Sequence, residues 1–277
     1  MIKKMFLVFL CFTLFLSMPG CKKKLPTTPD IPGAIDPTVQ SIIVISNSDM
    51  LYIGVSEIFT ATAVMSNGGT KVVIGGAWSG DNPSVATVGA STGEVTIVGS
   101  GMVNISVSYE GQQGVKAIRG LPDYQGTWSG TYHFTLCHNY GEWQGFCGDV
   151  VLYEELLIEL NLTQEEDRVE GHFLFYQLGA DASGPVQIDG QLLLAGAIQS
   201  GDFTIEVAML LQSTVPGEIT GHISEIWRSS SMSGSAELEA NIQDLPRISS
   251  MAGTLGTSAS QIPNPTLRDL VRALRRR

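Results

Sequence analysis

Short segments of alternating apolar and polar residues recur along most of this chain, and turn-forming residues separate them. Between residues 38 and 119, one segment runs from Ile58 to Met65. In it, one set of side chains (Ile58, Thr60, Thr62 and Val64) alternates with a second set (Phe59, Ala61, Ala63 and Met65). Further short runs rich in β-branched residues are Ile42–Ile45, Val85–Val88, Val95–Val98 and Val103–Val107. Many short strands with a turn signal about every ten residues indicate a β-sandwich.

The same kind of pattern continues from about residue 122 to residue 245. Leu156, Ile158, Leu160 and Leu162 alternate with polar residues, and the segment 169–178 follows as a return strand with two phenylalanines on one face. Further alternating segments are 192–194, 203–211, 218–226 and 233–242, and the turn residues between segments include Asp181–Gly184. About eight strands joined by short turns predict an antiparallel meander. We expect an up-and-down β-barrel, because closure removes exposed strand edges; a two-sheet sandwich is the alternative.

The two ends of the chain follow different patterns. Four prolines between Leu25 and Pro37 predict an extended tether over residues 21–37. Residues 246–263 are rich in Ser, Gly, Ala and Thr and are predicted to form a linker. Residues 264–277 predict a short basic amphipathic helix, with Asn264 as N-cap, Pro265 in the first turn and arginines in the last turn.

The first 20 residues have the composition of an export signal. Lys3 and Lys4 precede the uncharged run Met5–Leu16, which is shorter than the roughly 20 apolar residues that a transmembrane helix needs. Met18, Gly20 and Cys21 resemble the end of a bacterial lipoprotein signal peptide. The resemblance implies that residues 1–20 are removed and that Cys21 carries a lipid. The protein would then be anchored in the bacterial cell envelope, at the outer membrane or cell surface.

A second resemblance lies in the segment AWSGDNPSVATVGASTGEVTIVGSGMVNISVSY, residues 77–109. Its tryptophan, its Asn-Pro turn, its Val-Ala-Thr-Val strand and the spacing of its glycines resemble the group 2 bacterial Ig-like domain. The resemblance implies an Ig-like sandwich over residues 38–119, with Trp78 buried between its sheets. Such modules serve as spacers or adhesion segments in bacterial surface proteins.

The charge of the chain narrows the choice of partners. The full sequence has a net charge of −11, and removal of Lys3 and Lys4 leaves 27 acidic against 14 basic residues. This balance argues against nucleic acid, because phosphate contacts require Lys and Arg. The predicted partners are therefore the membrane, through a lipid on Cys21, and a surface protein or glycan. The protein is expected to be a monomer.

Cysteine pairing follows from the predicted export. Cys11 would leave with the signal peptide, so Cys137 and Cys147 remain as the two cysteines of the folded part. Exported proteins meet oxidising conditions, and we therefore predict a disulfide between them. The alternative is a metal site that combines these cysteines with His133 and His138, although their spacing does not match a familiar zinc pattern. No metal is predicted.

The segment GTWSGTY, residues 126–132, resembles the first strand of calycin-type barrels, which often carries Gly-x-Trp. The resemblance implies that Trp128 closes the base of the barrel and that the interior binds a small apolar ligand. Aromatic residues that could line such a cavity are Tyr132, Phe134, Phe173, Phe175 and Phe203. An eight-stranded barrel can also be filled by its own side chains, and the same residues would then form the core.

Motifs of catalysis are missing from the sequence. It contains no zinc-protease histidine pair and no phosphate-binding glycine loop, and its Gly-x-Ser-x-Gly string, Gly89–Gly93, lies in a predicted hairpin. His172 and His222 are predicted on strands as surface or wall residues. Glu154, Glu155 and Glu159 could be imagined as glycosidase carboxylates, but their alternation with leucines favours a solvated strand face. We therefore expect an all-β protein that is not an enzyme and needs no cofactor: an Ig-like spacer that presents a distal β-domain for adhesion or for interaction with a protein or glycan. The alternative is a binding protein for a small apolar ligand.

Overall fold

The computed structural model describes residues 36–150, 152, 155–175, 178–215 and 217–248. The chain divides into two compact units, residues 1–37 and 38–277. Of the first unit, the structure describes Asp36 and Pro37 only. The predictions for the signal peptide, for Cys21, for the tether up to residue 35 and for the C-terminal helix lie outside the described residues.

Ten of the described strands lie before residue 122. They are β1 Val39–Ile45, β2 Met50–Tyr52, β3 Ser56–Ile58, β4 Thr60–Met65, β5 Thr70–Val72, β6 Ala77–Gly80, β7 Ala86–Val88, β8 Glu94–Ile97, β9 Gly101–Tyr109 and β10 Gln112–Leu121. They form three sheets with the orders β1-β4-β5, β2-β10-β9-β6 and β3-β8-β7. All pairs are antiparallel except β2 with β10. The predicted sandwich-type, all-β organisation is confirmed.

Trp78 on β6 lies in the core of these sheets and is 8% exposed, as predicted. Gly93, in a hairpin, lies against the Trp78 ring, and no larger residue fits at this position. Its φ of +70° favours glycine, and a Cβ atom there would lie 2.8 Å from the Phe59 carbonyl oxygen and 2.9 Å from the Trp78 ring. The pattern of the sequence did not predict β10. This strand continues to Leu121, two residues beyond the predicted boundary at 119.

The following eight strands close into a barrel. They are β11 Gly126–Gly141, β12 Leu156–Glu165, β13 Arg168–Phe175, β14 Leu178–Pro185, β15 Leu192–Ser200, β16 Phe203–Val215, β17 Glu218–Ser229 and β18 Gly234–Ile248. Each strand pairs with its neighbour in sequence, and β18 pairs antiparallel with β11. The predicted eight-stranded antiparallel barrel is confirmed, and β18 extends three residues beyond the predicted end at 245.

The interior of the barrel is apolar because the inward positions of each strand carry large hydrophobic side chains. Leu156, Ile158, Leu160 and Leu162 on β12 are buried, and the residues between them face outward. The same alternation holds on β16, where Phe203, Ile205, Val207, Met209 and Leu211 are buried. This period of two is what an antiparallel sheet with one buried face requires.

The prediction of a turn at Asp181–Gly184 is wrong. These residues belong to β14, whose backbone pairs with β13 from Arg168↔Pro185 to Phe175↔Leu178. Small residues are needed here for packing rather than for a turn, since a Cβ atom on Gly184 would lie 1.7 Å from the Leu193 carbonyl oxygen of β15. The turn lies later, where the Gly190 N–H donates to the Gln187 carbonyl oxygen.

Only four residues, 122–125, connect β10 of the sandwich to β11 of the barrel. Arg119 on β10 fixes this junction, because its Nη1 lies 2.7 Å from Asp167 Oδ2 and its Nη2 donates to the Val186 carbonyl oxygen at 2.5 Å. Met50 and Tyr52 of β2 pack against the barrel core. The sandwich therefore covers one end of the barrel, which we call the sandwich-facing end.

The one helix among the described residues is α1, Phe146–Asp149, between β11 and β12. It has four residues, and no helix in the described part of the chain is long and apolar enough to cross a membrane.

Candidate functional site

Tyr124 and Trp128 close the sandwich-facing end of the barrel from inside. The Tyr124 hydroxyl is buried and donates to the Gly190 carbonyl oxygen at 2.7 Å, and burial raises its pKa to about 12. The indole Nε1 of Trp128 donates to the Tyr124 carbonyl oxygen at 2.9 Å. These bonds satisfy both polar groups within the apolar core, so this end is sealed by side chains of the barrel itself.

Arg247, near the end of β18, lies over the Trp128 ring. Its guanidinium carbon is 4.7 Å from the ring centroid, and its Nη1 and Nη2 bind the Asp123 carboxylate at 2.9 Å and the Asp123 carbonyl oxygen at 2.5 Å. The contact combines a cation–π interaction with a two-point hydrogen bond. The contact links β18, the last strand, to β11, the first strand. It lies at the base of the barrel, which Trp128 was predicted to close.

All five aromatic residues that were predicted to line a cavity or to form the core are buried. Tyr132 contacts Phe134 and Phe175, with ring centroids 5.6 and 5.3 Å away, and Phe173 lies 4.9 Å from Phe175. Phe203 lies at the opposite end of the barrel from Trp128. The structure places these side chains in one packed core, together with the aliphatic residues of the strands.

A short segment closes the end of the barrel away from the sandwich. We call residues 142–150 the capping segment and this end the capped end. The predicted disulfide between Cys137 of β11 and Cys147 of α1 is present and ties the segment to the barrel wall. The Glu142 carboxylate accepts a hydrogen bond from the Ser233 N–H, and Asn139 Nδ2 donates to the Trp143 carbonyl oxygen at 2.8 Å.

The capping segment inserts two aromatic side chains into the capped end. The Trp143 ring lies 5.3 Å from Phe146 and 6.1 Å from Phe203, and Phe146 lies 5.3 Å from Trp227 on β17. All four are buried. They form a group of rings that we call the aromatic group, and the disulfide holds two of its members in place.

Glu225 lies directly beside the aromatic group. It is 1% exposed, and its Oε2 accepts a hydrogen bond from the Trp227 indole at 2.8 Å. Its ladder partners are Val207 and Leu238, both buried and apolar. Burial raises the pKa of Glu225 to about 7, although the hydrogen bond from Trp227 lowers it.

Three buried polar atoms at the capped end have no hydrogen-bond partner among the residues that the structure describes. They are Glu225 Oε1, the Nε1 of Trp143 and the Oγ of Ser200, which ends β15 directly opposite Phe203. Glu225 and Ser200 are the buried polar or charged residues of the described part of the chain. Buried polar groups in native proteins are rarely without a hydrogen bond. Three such atoms close together therefore indicate a place where a ligand could supply the missing hydrogen bonds.

Sequence reasoning did not single out Glu225. The available signal is the alternation on β17, where Ile219, Ile223 and Trp227 occupy inward positions and Glu225 falls between them in the same register. A charged residue on the apolar face of a strand is unusual and identifies a position to examine.

The outer face of the barrel carries a separate concavity of about 630 Å³ over β12–β15. Its polar lining consists of Asn161, Thr163, Glu170, His172, Asp181 and Ser183. His172 Nδ1 and Asp181 Oδ1 are 3.1 Å apart. The structure therefore places His172 on an outer wall, as predicted, and brings it together with carboxylates, amides and hydroxyls in an open site.

The remaining candidate residues are not assembled into a site. His222 lies on the outer face of β17 with its Nδ1 3.1 Å from Asn241 Oδ1. Glu155 and Glu159 lie at or near the start of β12 outside the core, and Glu154 falls outside the described residues. Within the described ranges, no group of three or more His, Cys, Asp or Glu side chains could hold a metal ion. The two cysteines bond to each other, so their sulfurs are not free for the alternative metal site.

Comparison with known proteins finds no match for this chain among protein-family models and none among curated proteins.

Proposed function

We propose that this protein is a lipid-anchored, non-enzymatic binding protein of the bacterial cell envelope that presents its barrel to a glycan. The tether and the Ig-like sandwich would act as a spacer. The supporting observation is the concavity over β12–β15, which is open and carries the polar side chains of Asn161, Thr163, Glu170, His172, Asp181 and Ser183. Amide, carboxylate, hydroxyl and imidazole groups can donate to and accept from the hydroxyl groups of a glycan.

The contacts of Arg119 with Asp167 and Val186 at the junction support the presentation role. Because the sandwich covers one end of the barrel, the outer wall and the capped end remain for contact with a partner. Two features of the chain are thus consistent with the presentation of a binding site: the spacer-type sequence of the first domain and the polar concavity on the second.

We predict that the purified mature protein begins at Cys21 and carries a lipid there. Intact-mass and peptide mass spectrometry should find an N-terminal peptide with a diacylglyceryl-type mass increase on Cys21. A Cys21→Ser variant should lose that modification and leave the membrane fraction. An unmodified N-terminus, or a mature start at another residue, would overturn the anchoring proposal.

The glycan site predicts different roles for two outer-wall histidines. Binding to an array of bacterial and host glycans should weaken at least tenfold in the Asp181→Ala and His172→Ala variants, because each loses a polar contact in the concavity. His222→Ala is the matched control, since His222 has a similar bond to Asn241 on another part of the wall. Equal binding by both histidine variants, or no bound glycan at all, would contradict the proposal.

A second candidate function is the binding of a small molecule inside the barrel. The observation in its favour is the set of buried polar atoms without partners at the capped end. A ligand there would lie under the capping segment, at the end of the barrel that the sandwich leaves uncovered.

A further inference from the structure

The capped end combines two features that define the chemistry of a ligand. A buried carboxyl oxygen, Glu225 Oε1, has no hydrogen-bond partner in the described parts of the chain, and the aromatic group of Trp143, Phe146, Phe203 and Trp227 lies beside it. Carboxylates bind ammonium groups, and the faces of aromatic rings attract cations. We propose that the capped end of the barrel binds a small organic amine with an apolar body, whose ammonium group pairs with Glu225. This inference rests on the second candidate function above.

The geometry assigns a role to each part of the ligand. The ammonium group would donate to Glu225 Oε1, while Oε2 keeps its bond from Trp227 at 2.8 Å. The apolar body would lie among the rings, where burial of its surface stabilises the complex. The Nε1 of Trp143 is a donor without a partner and the Oγ of Ser200 can donate or accept, so a hydroxyl or carbonyl group on the ligand would satisfy one of them.

The surroundings of Glu225 make a cation the appropriate partner. On the flanking strands, Glu206, Glu237 and Glu239 face outward, and Val207 and Leu238 face Glu225. Tyr132 is the titratable residue that β11 directs into the core, and Cys137 of the same strand is in the disulfide. None of these described groups supplies a positive charge. An ionised Glu225 would therefore be uncompensated until a cation binds.

Where Glu225 is protonated, its proton must pass to the solvent before an ammonium group can pair with the carboxylate. The carboxyl is protonated in part of the molecules at neutral pH, because burial raises its pKa to about 7. The ammonium form of the ligand replaces that proton as the partner of the carboxylate. Affinity should therefore rise with pH between about 6 and 8, by at most tenfold per pH unit below the pKa, and then level off.

The capping segment controls access to the capped end. Trp143 and Phe146 cover Phe203 and Trp227, and the disulfide at Cys147 and the bond from Ser233 to Glu142 hold the segment on the barrel. A ligand would enter by displacing these two side chains, while the tie between β11 and α1 limits how far the segment can move.

The test is titration of the purified full-length mature protein with 2-phenylethylamine, and with 2-phenylethanol as the neutral counterpart of the same shape. Calorimetry gives the affinity, and the four indole N–H resonances in ¹⁵N spectra give the location. We expect the amine to bind at least tenfold more tightly than the alcohol at pH 8. The Trp143 and Trp227 resonances should shift, while those of Trp78 and Trp128 should not.

Glu225→Gln is the decisive variant, because it keeps the shape and the acceptor for Trp227 but cannot pair with an ammonium group. It should bind amine and alcohol equally and show no rise in affinity with pH, with an unchanged circular dichroism spectrum. Equal affinities of the wild-type protein for amine and alcohol would overturn the amine assignment but leave binding inside the barrel intact. If neither compound shifts Trp143 or Trp227, both the inference and the second candidate function fail.

Discussion

Truncation of Trp128 to alanine is expected to lower the free energy of unfolding by about 3–5 kcal/mol. The side chain is fully buried, so its loss leaves a cavity at the sandwich-facing end of the barrel. It also removes the indole bond to the Tyr124 carbonyl oxygen and the surface on which Arg247 stacks. Urea unfolding followed by circular dichroism would measure the change. A loss of this size is a large part of the roughly 5–15 kcal/mol that stabilises an ordinary domain.

Arg247→Met provides the matched control for this prediction. Methionine keeps an apolar chain over the Trp128 ring but loses the ion pair with Asp123, which is partly exposed. We expect a loss of only about 1 kcal/mol, since partly exposed ion pairs and cation–π contacts contribute little each. If the two variants lose equal stability, or if Trp128→Ala loses less than 1 kcal/mol, the packed base of the barrel does not have the role assigned to it.

The fold could be predicted from the sequence because its main determinant is local. Alternation of apolar and polar residues with a period of two, interrupted by turn residues, specifies antiparallel strands and their buried faces. Leu156 to Leu162 show this directly, since each predicted inward residue is buried. The disulfide between Cys137 and Cys147 was also predictable, from the short separation and the expected oxidising environment.

Features that depend on distant parts of the chain could not be predicted in this way. Asp181–Gly184 have the composition of a turn, but close contact with β15 keeps them in a strand, and no local pattern contains that information. The bond between Arg119 and Asp167 joins residues 48 positions apart, and the contact of Arg247 with Asp123 spans 124 positions. The alternation on β17 identifies Glu225 as an inward-facing charged residue. Its role could not be predicted, because it depends on the capping segment, which lies far away in the sequence.

Glu225 is expected to make the stability of the protein fall as the pH rises. The pKa of Glu225 is raised to about 7 in the folded state, whereas the unfolded chain releases the same proton near the ordinary pKa of 4.5. Between these values the folded protein binds more protons, so rising pH favours unfolding. The stabilising contribution is complete below about pH 4.5 and is lost as the pH passes through 7. A difference of this size corresponds to a loss on the order of 3 kcal/mol.

The comparison with Glu225→Gln isolates this effect from that of other carboxylates. Hydrogen bonds from Asn104 hold the pKa of Asp81 below its usual value, and those from Ser231 and Ser229 do the same for Asp202. Both groups act in the opposite direction, because their contributions are lost at low pH, but they are equal in the two proteins. Urea unfolding at intervals from pH 4 to pH 9 should therefore show the variant gaining stability relative to the wild type as the pH rises. Parallel curves over this range would mean that Glu225 ionises at its ordinary pH, which contradicts its burial beside Trp227.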